Sequence, residues 1–205
     1  MNQRIEMEEL HLRLAGMTTG PGRHLVALAG PPGAGKSHVA EALLQNLPAA
    51  ALLPMDGFHL DDGLLTARGD LARKGAPHTF DLDGLSVMLE RLAADDGRPV
   101  LVPVFDRSLE ISRAGAREIP PEARLILVEG NYLLLDKPGW RDLDRHFALT
   151  VMLDVPEPVL RDRLAARWRD LPAPQAQARL EGNDLPNMML VCRESRQADL
   201  ILPNG

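Results

Sequence analysis

The chain of 205 residues has one cysteine, three lysines against twenty arginines, and no apolar run long enough to span a bilayer. Each scarcity excludes something. Cys192 can form no intramolecular disulfide and has no CxxC spacing, so it is expected as a small buried hydrophobe in Leu190-Val191-Cys192. No His/Cys/Asp/Glu cluster has zinc-site spacing, and no G-x-S-x-G elbow points to a serine hydrolase. The guanine-reading tetrapeptide N-K-x-D is missing as well; the nearest lysine context is Asp136-Lys137-Pro138. A net charge of −6 and a pI near 5.5 lack the basic footprint on which nucleic-acid affinity depends, so no nucleic-acid partner is expected. The acidic start, Met1 to Glu9, lacks a signal-peptide core, and no window approaches about eighteen consecutive apolar residues. These features lead to the expectation of no membrane insertion and a reducing, cytoplasmic setting. With 45% hydrophobic content the chain can bury a full core, and residues 1–205 are expected to form a single domain.

What is present is concentrated in one octapeptide. Gly30-Pro31-Pro32-Gly33-Ala34-Gly35-Lys36-Ser37 follows the apolar run Leu25 to Ala29, precedes a helix-like stretch beginning near His38, and fits G-x-x-x-x-G-K-[ST] in its required setting. Glycines let successive N–H groups converge on one anion, and the next helix contributes its partial positive end. Such a loop holds nucleotide phosphates. Lys36 can reach the β/γ-phosphates, and Ser37 is placed to coordinate Mg²⁺. In so lysine-poor a chain, a general preference for lysine cannot explain Lys36.

Alternating short apolar runs and helix-like segments predict an α/β fold with a parallel sheet covered on both faces. A helix from about Ile5 to Ala15 should end at Gly16, and strands are predicted at Leu25–Ala29, Ala50–Pro54, Val100–Phe105, Leu125–Val128, Leu149–Val155 and Asp199–Leu202. After the phosphate loop, Val39, Leu43, Leu44 and Leu47 mark a helix that Pro48 stops. Asp61 to Pro77 reads as an irregular excursion over the sheet edge. Helices follow at Asp81–Ala94, Pro156–Leu171 and Met188–Glu194, and the polar stretch from Pro172 to Pro186 reads as the turn of a helical lid spanning roughly 161–186.

A phosphate cradle alone could serve a kinase, a switch or a motor. Asp56, at the carboxyl end of the second strand, could orient a hydroxyl and accept its proton, although Asp56-Gly57 is also an ordinary turn dipeptide. Glu129 ends a strand as a Walker-B acid does and could hold Mg²⁺ through water, or simply face solvent. Arg163 and Arg167 share a helix face and could reach the γ-phosphate, in a helix that is arginine-rich throughout. His59 and His78 could contact a substrate or satisfy local hydrogen bonds, while Trp140 and Trp168 read as filling the core or a helix contact rather than a cofactor box.

Taken in order, Gly30 to Ser37, Met55-Asp56-Gly57-Phe58-His59, Arg73 to Asp81, Pro103-Val104-Phe105-Asp106-Arg107, Leu127 to Tyr132 and Ala198 to Pro203 resemble the P-loop small-molecule kinases of the uridine kinase, pantothenate kinase and phosphoribulokinase group. Within it the chain is similar to bacterial proteins described as fructose transport system kinases. The resemblance implies a three-layer α/β/α P-loop fold with a small helical lid, ATP and Mg²⁺ as cofactors, and a hydroxyl-bearing small molecule as acceptor. It implies Asp56 as base, Glu129 and Ser37 beside the metal, Arg163 and Arg167 as lid arginines, and His59, Lys74, Asp106 and Arg107 at the acceptor. It leaves a homodimer open. Phe105 stands where uridine kinases have tyrosine, a departure that removes a hydroxyl and counts against nucleoside recognition; because arginines can bind a carboxylate or phosphate on the acceptor as readily as the γ-phosphate, sugar, nucleoside and pantothenate-like acceptors stay open. A nucleotide-hydrolysing regulator associated with a transport system is the competing reading.

Overall fold

The structure is a computed structural model that describes residues 3–205. In chain order its first half comprises β1 (Gln3–Arg4), α1 (Met7–Met17), β2 (His24–Ala29), α2 (Lys36–Leu44), β3 (Ala50–Pro54), α3 (Asp62–Arg68) and α4 (Leu82–Ala93). The second half comprises β4 (Val100–Asp106), β5 (Ile111–Ile119), β6 (Leu125–Gly130), β7 (Leu149–Asp154), α5 (Glu157–Arg167), α6 (Ala173–Arg179), α7 (Leu185–Glu194) and β8 (Leu200–Pro203). Six strands form one parallel sheet in the order β1-β8-β7-β2-β6-β3.

Strand periodicity divides the apolar residues between two cores. On β2, Leu25, Ala27 and Ala29 face the core shared with α4, while Val26 and Leu28 face the core shared with α1, α2 and α5. β6 repeats the pattern, with Ile126 and Val128 on the first side and Leu125 and Leu127 on the second. Strands covered on both faces read as continuous apolar runs, which is why these were visible in the sequence. Among the described residues no helix is long and apolar enough to cross a membrane.

Several local expectations change. The first helix runs through Gly16 to Met17, where Thr18 turns its hydroxyl (2.8 Å) and its N–H back onto the Ala15 carbonyl and ends it. Asp61–Pro77 is more ordered than expected: Asp61 caps α3 by accepting the Gly63 N–H at 2.8 Å, and Gly69 closes it at φ +75°. β4 is not a member of the parallel sheet. It pairs antiparallel with β5, an exposed strand with little apolar alternation, and the register shifts between Val102 and Val104. Cys192 is exposed: α7 buries Met188 and Val191, and the cysteine lies beside that stripe.

Candidate active site

The phosphate loop departs from the end of β2 at the carboxyl edge of the sheet, where ligands bind in open α/β folds. Gly33 and Gly35 adopt φ +84° and +83°, a region open chiefly to glycine. Gly35 caps α2 with no side-chain acceptor, so no capping side chain competes with an anion for the first-turn N–H groups. Lys36 is buried, and its Nζ donates to Asn131 Oδ1 at 2.6 Å and to the Pro31 carbonyl at 3.1 Å. Burial lowers its pKa, against the opposing pull of Glu129 and Asp56. Ser37 Oγ donates to Glu129 Oε2 at 3.2 Å, and burial pushes the Glu129 carboxyl up while Lys36 opposes it.

Asp56 lies in a 3₁₀ turn, Met55–Phe58, that continues directly from β3. Gly57 is not the positive-φ glycine of an ordinary Asp-Gly turn; a Cβ there would stand 2.4 Å from the Pro103 carbonyl of β4. Close approach of two backbones is what this glycine permits. Arg107 Nη2 donates to Asp56 Oδ2 at 2.5 Å. His59 Nδ1 donates to the Asp56 carbonyl at 2.8 Å, with its ring 4.2 Å from Phe80 and 4.5 Å from Phe105. Burial lowers the His59 pKa, which favours the neutral Nδ1–H form. Lys74 Nζ donates to Asp62 Oδ1 and the Glu110 carbonyl, each at 2.5 Å, and stands 5.2 Å from the Phe105 ring centre.

The opposite wall comes from α5 to α7. Arg163 Nη1 donates to the Asn204 carbonyl at 3.2 Å and the Gly33 carbonyl at 3.4 Å, while Asn204 Nδ2 donates to the Ala34 carbonyl at 2.7 Å. Arg167 lies 3.8 Å from Asp184, a buried carboxylate that accepts the Trp168 indole N–H at 2.6 Å.

One cavity of about 770 Å³ collects Lys36, Ser37, His38, Asp56, His59, Lys74, Arg107, Glu129, Arg163 and Arg167, together with Pro32, Gly33 and Gly35. Gly30 and Ala34 are packed within the loop, and Pro31 faces a smaller groove beside Met152 and Val191. Asp106 does not line the cavity. Its carboxylate accepts the Ser108 hydroxyl at 2.6 Å and the Ser108 and Leu109 N–H groups, pinning the β4–β5 turn. His78 also lies outside the cavity, 3.5 Å from Asp70. The sequence reading did not single out Asn131, Asp184 or Asn204 as site residues. An asparagine two residues after the strand acid was available as a signal for Asn131; nothing local marks the other two.

No protein-family model matches the chain. It is 37% identical over 202 residues to the uncharacterized protein YggC of Escherichia coli strain K12, covering 94% of this chain and 83% of that one. It is 30% identical over 209 residues to the "putative uridine kinase C227.14" of Schizosaccharomyces pombe, covering 95% and 89%. Among solved structures, a "putative fructose transport system kinase" from Silicibacter sp. TM1040 superposes with a TM-score of 0.84 at 44% identity, over 92% of this chain and 98% of that one. Identity at this level over nearly the whole of each chain, joined to the glycine-cradled lysine and the parallel sheet behind it, shows that the protein belongs to the P-loop kinase group.

Proposed function

We propose that the protein is an ATP- and Mg²⁺-dependent kinase that transfers the γ-phosphoryl group to a hydroxyl of a small metabolite such as a sugar, a nucleoside or a pantothenate-like acid. The observation that carries this reading is the convergence of Lys36, Ser37, Glu129 and Asp56 on one cavity at the carboxyl edge of the sheet. The donor set fits Mg²⁺. Among the described residues no group of three or more His, Cys, Asp or Glu side chains could hold a metal alone. Mg²⁺ in nucleotide sites takes one or two protein oxygens plus phosphates and water, which Ser37 and Glu129 can supply. Bound there, the ion would neutralise phosphate charge during transfer.

In this reading Gly30 to His38 cradle the phosphates, and Lys36 supplies a buried positive charge to the transferring group. Asp56 accepts the acceptor's proton, with Arg107 and the His59 ring holding its position. Arg163 and Arg167 belong to a lid over 161–186 that excludes water. Lys74 and Arg107 bind the acceptor. Residues 1–205 act as one kinase domain.

ADP release from MgATP, measured against a panel of sugars, nucleosides, vitamins and pantothenate with Lys36→Ala as blank, tests the reading. Strong stimulation by one compound is expected, and Asp56→Ala should lower that transfer by roughly 10²–10⁴-fold while ATP still binds. Slow hydrolysis indifferent to every compound would favour a regulatory nucleotide hydrolase instead.

A further inference from the structure

Between α6 and α7 the helix widens into a single π turn, Leu180–Asp184, in which the Leu185 N–H reaches back to the Leu180 carbonyl. The sequence explains it. Pro186 has no N–H for the carbonyl four residues earlier, that of Gly182, and its ring crowds that carbonyl. The freed Gly182 carbonyl accepts from Arg73 Nη1. The same turn carries Asn183, whose Nδ2 donates to the Lys74 carbonyl at 2.6 Å and whose Oδ1 accepts from Asn187 Nδ2 at 3.0 Å. Arg73 Nη2 completes the loop by donating to Asn187 Oδ1 at 3.3 Å.

The next residue, Asp184, faces the other side of the cavity. One of its oxygens is fixed by the Trp168 indole N–H at 2.6 Å; the other lies 3.8 Å from Arg167 Nη1, near enough for attraction but beyond a hydrogen bond. Arg179 covers the Trp168 ring at 4.8 Å. Three consecutive residues therefore hold the segment that carries Lys74 and the side chain of Arg167.

We propose that this π turn is a two-ended positioning element: Gly182 and Asn183 hold the Arg73–Gly75 loop, and Asp184 holds Arg167 until a γ-phosphate competes for it. The triphosphate and the acceptor loop are thereby sensed together. The proposal rests on the kinase reading of the cavity, because it requires a nucleotide phosphate within reach of Arg167. Asp184 is a positioning residue in this scheme. It touches neither reacting atom.

Two measurements test it, both with the full chain and without knowledge of the acceptor. In the first, MgATP and MgADP affinities are compared by calorimetry for wild type, Asp184→Asn and Lys36→Ala. Asparagine can still accept the Trp168 N–H but no longer attracts Arg167, so the ratio of ATP to ADP affinity should shift toward ATP by about two- to fivefold, the range of a partly exposed ion pair. In the second, amide exchange is followed across residues 71–79. MgATP, but not MgADP, should slow it in the wild type. Asn183→Ala and Pro186→Ala should both abolish that response, the proline variant because it restores a helical N–H that competes with Arg73 for the Gly182 carbonyl. An unchanged affinity ratio in Asp184→Asn, or a nucleotide response at 71–79 that survives both other variants, overturns the proposal and leaves the kinase reading standing. Undiminished MgATP binding by Lys36→Ala is a different result, and it removes the phosphate-loop reading on which the proposal depends.

Discussion

Gly57→Ala adds one methyl group at the point where the turn bearing Asp56 meets the hairpin bearing Arg107. The new Cβ would lie 2.4 Å from the Pro103 carbonyl oxygen and 2.8 Å from its carbon, both backbone atoms of β4. Reaching ordinary van der Waals distance requires about 1 Å of relative movement. Neither side yields freely: the turn is held by buried Met55 and Phe58, and β4 by buried Val100 and Val102. Overpacking of this kind costs about 1–3 kcal/mol, slightly offset by the smaller backbone entropy of unfolded alanine. For a chain of this size the melting temperature should fall by about 2–12 °C. The same movement displaces Asp56 within the cavity and, in its proposed role as base, a misplacement of about 1 Å can lower turnover by about 10²-fold. The three atoms nearest the added Cβ all belong to Pro103 and none to the phosphate loop, so MgATP affinity should stay within about twofold of wild type. Thermal melts, calorimetric titration with MgATP and acceptor-dependent turnover on the same preparation check all three. A variant that melts at or above the wild-type temperature and turns over normally would refute the close-approach argument and restore the ordinary-turn reading of Asp56-Gly57.

Two further outcomes follow from buried groups. Tyr132 is fully buried and its hydroxyl donates to the Gly75 carbonyl at 2.6 Å, so Tyr132→Phe should cost about 1–2 kcal/mol in urea unfolding and speed amide exchange around Gly75; an unaltered midpoint would show that the bond contributes nothing net. Lys36 has a folded-state pKa below its unfolded value because of burial, so between those two values the unfolded chain binds the extra proton and stability rises with pH. The stability difference between wild type and Lys36→Met should therefore move in favour of the wild type as the pH rises toward the ordinary lysine value of 10.5, a trend readable in paired urea melts, and a pH-independent difference would exclude a depressed Lys36.

Legibility in the sequence followed the range of the forces involved. β2 and β6 could be read within a residue or two because the middle of a central parallel strand, buried on both faces, is a continuous apolar run, and β3, an edge strand with only Leu53 buried, because its short apolar run ends at Pro54; the registers place Glu129 opposite Leu28 and Pro54. The phosphate loop was legible for a related reason: Gly33 and Gly35 satisfy a local backbone demand that few other residues meet. β5 was not legible. It is largely exposed, and its pairing with β4 is stabilised by ladder hydrogen bonds that leave no mark in side-chain type. α3 has only one fully buried side chain, Leu65, so its hydrophobic period is too short to stand out, although Asp61 and Gly69 were both usable boundary signals.

The same distinction separates the candidate-site residues legible in the sequence from those that were not. Lys36, Ser37 and Asp56 follow strands whose ends are marked locally, Glu129 is the acid near the end of β6, and all four line the cavity. Asp106 had the same kind of local mark, yet an aspartate two residues before a serine is also the best acceptor for a tight turn, and at the tip of a hairpin the turn takes it. Asn204 and Asp184 depend on contacts across about 170 and 16 residues of chain, with Ala34 and Trp168, and no window of sequence contains both partners of the former. Pro186 is the instructive intermediate. Its presence two residues after Asp184 announces that one helical carbonyl must find another donor, but only the folded chain identifies that donor as Arg73, which ties the loop of Arg73 to Gly75 to the wall bearing Arg167.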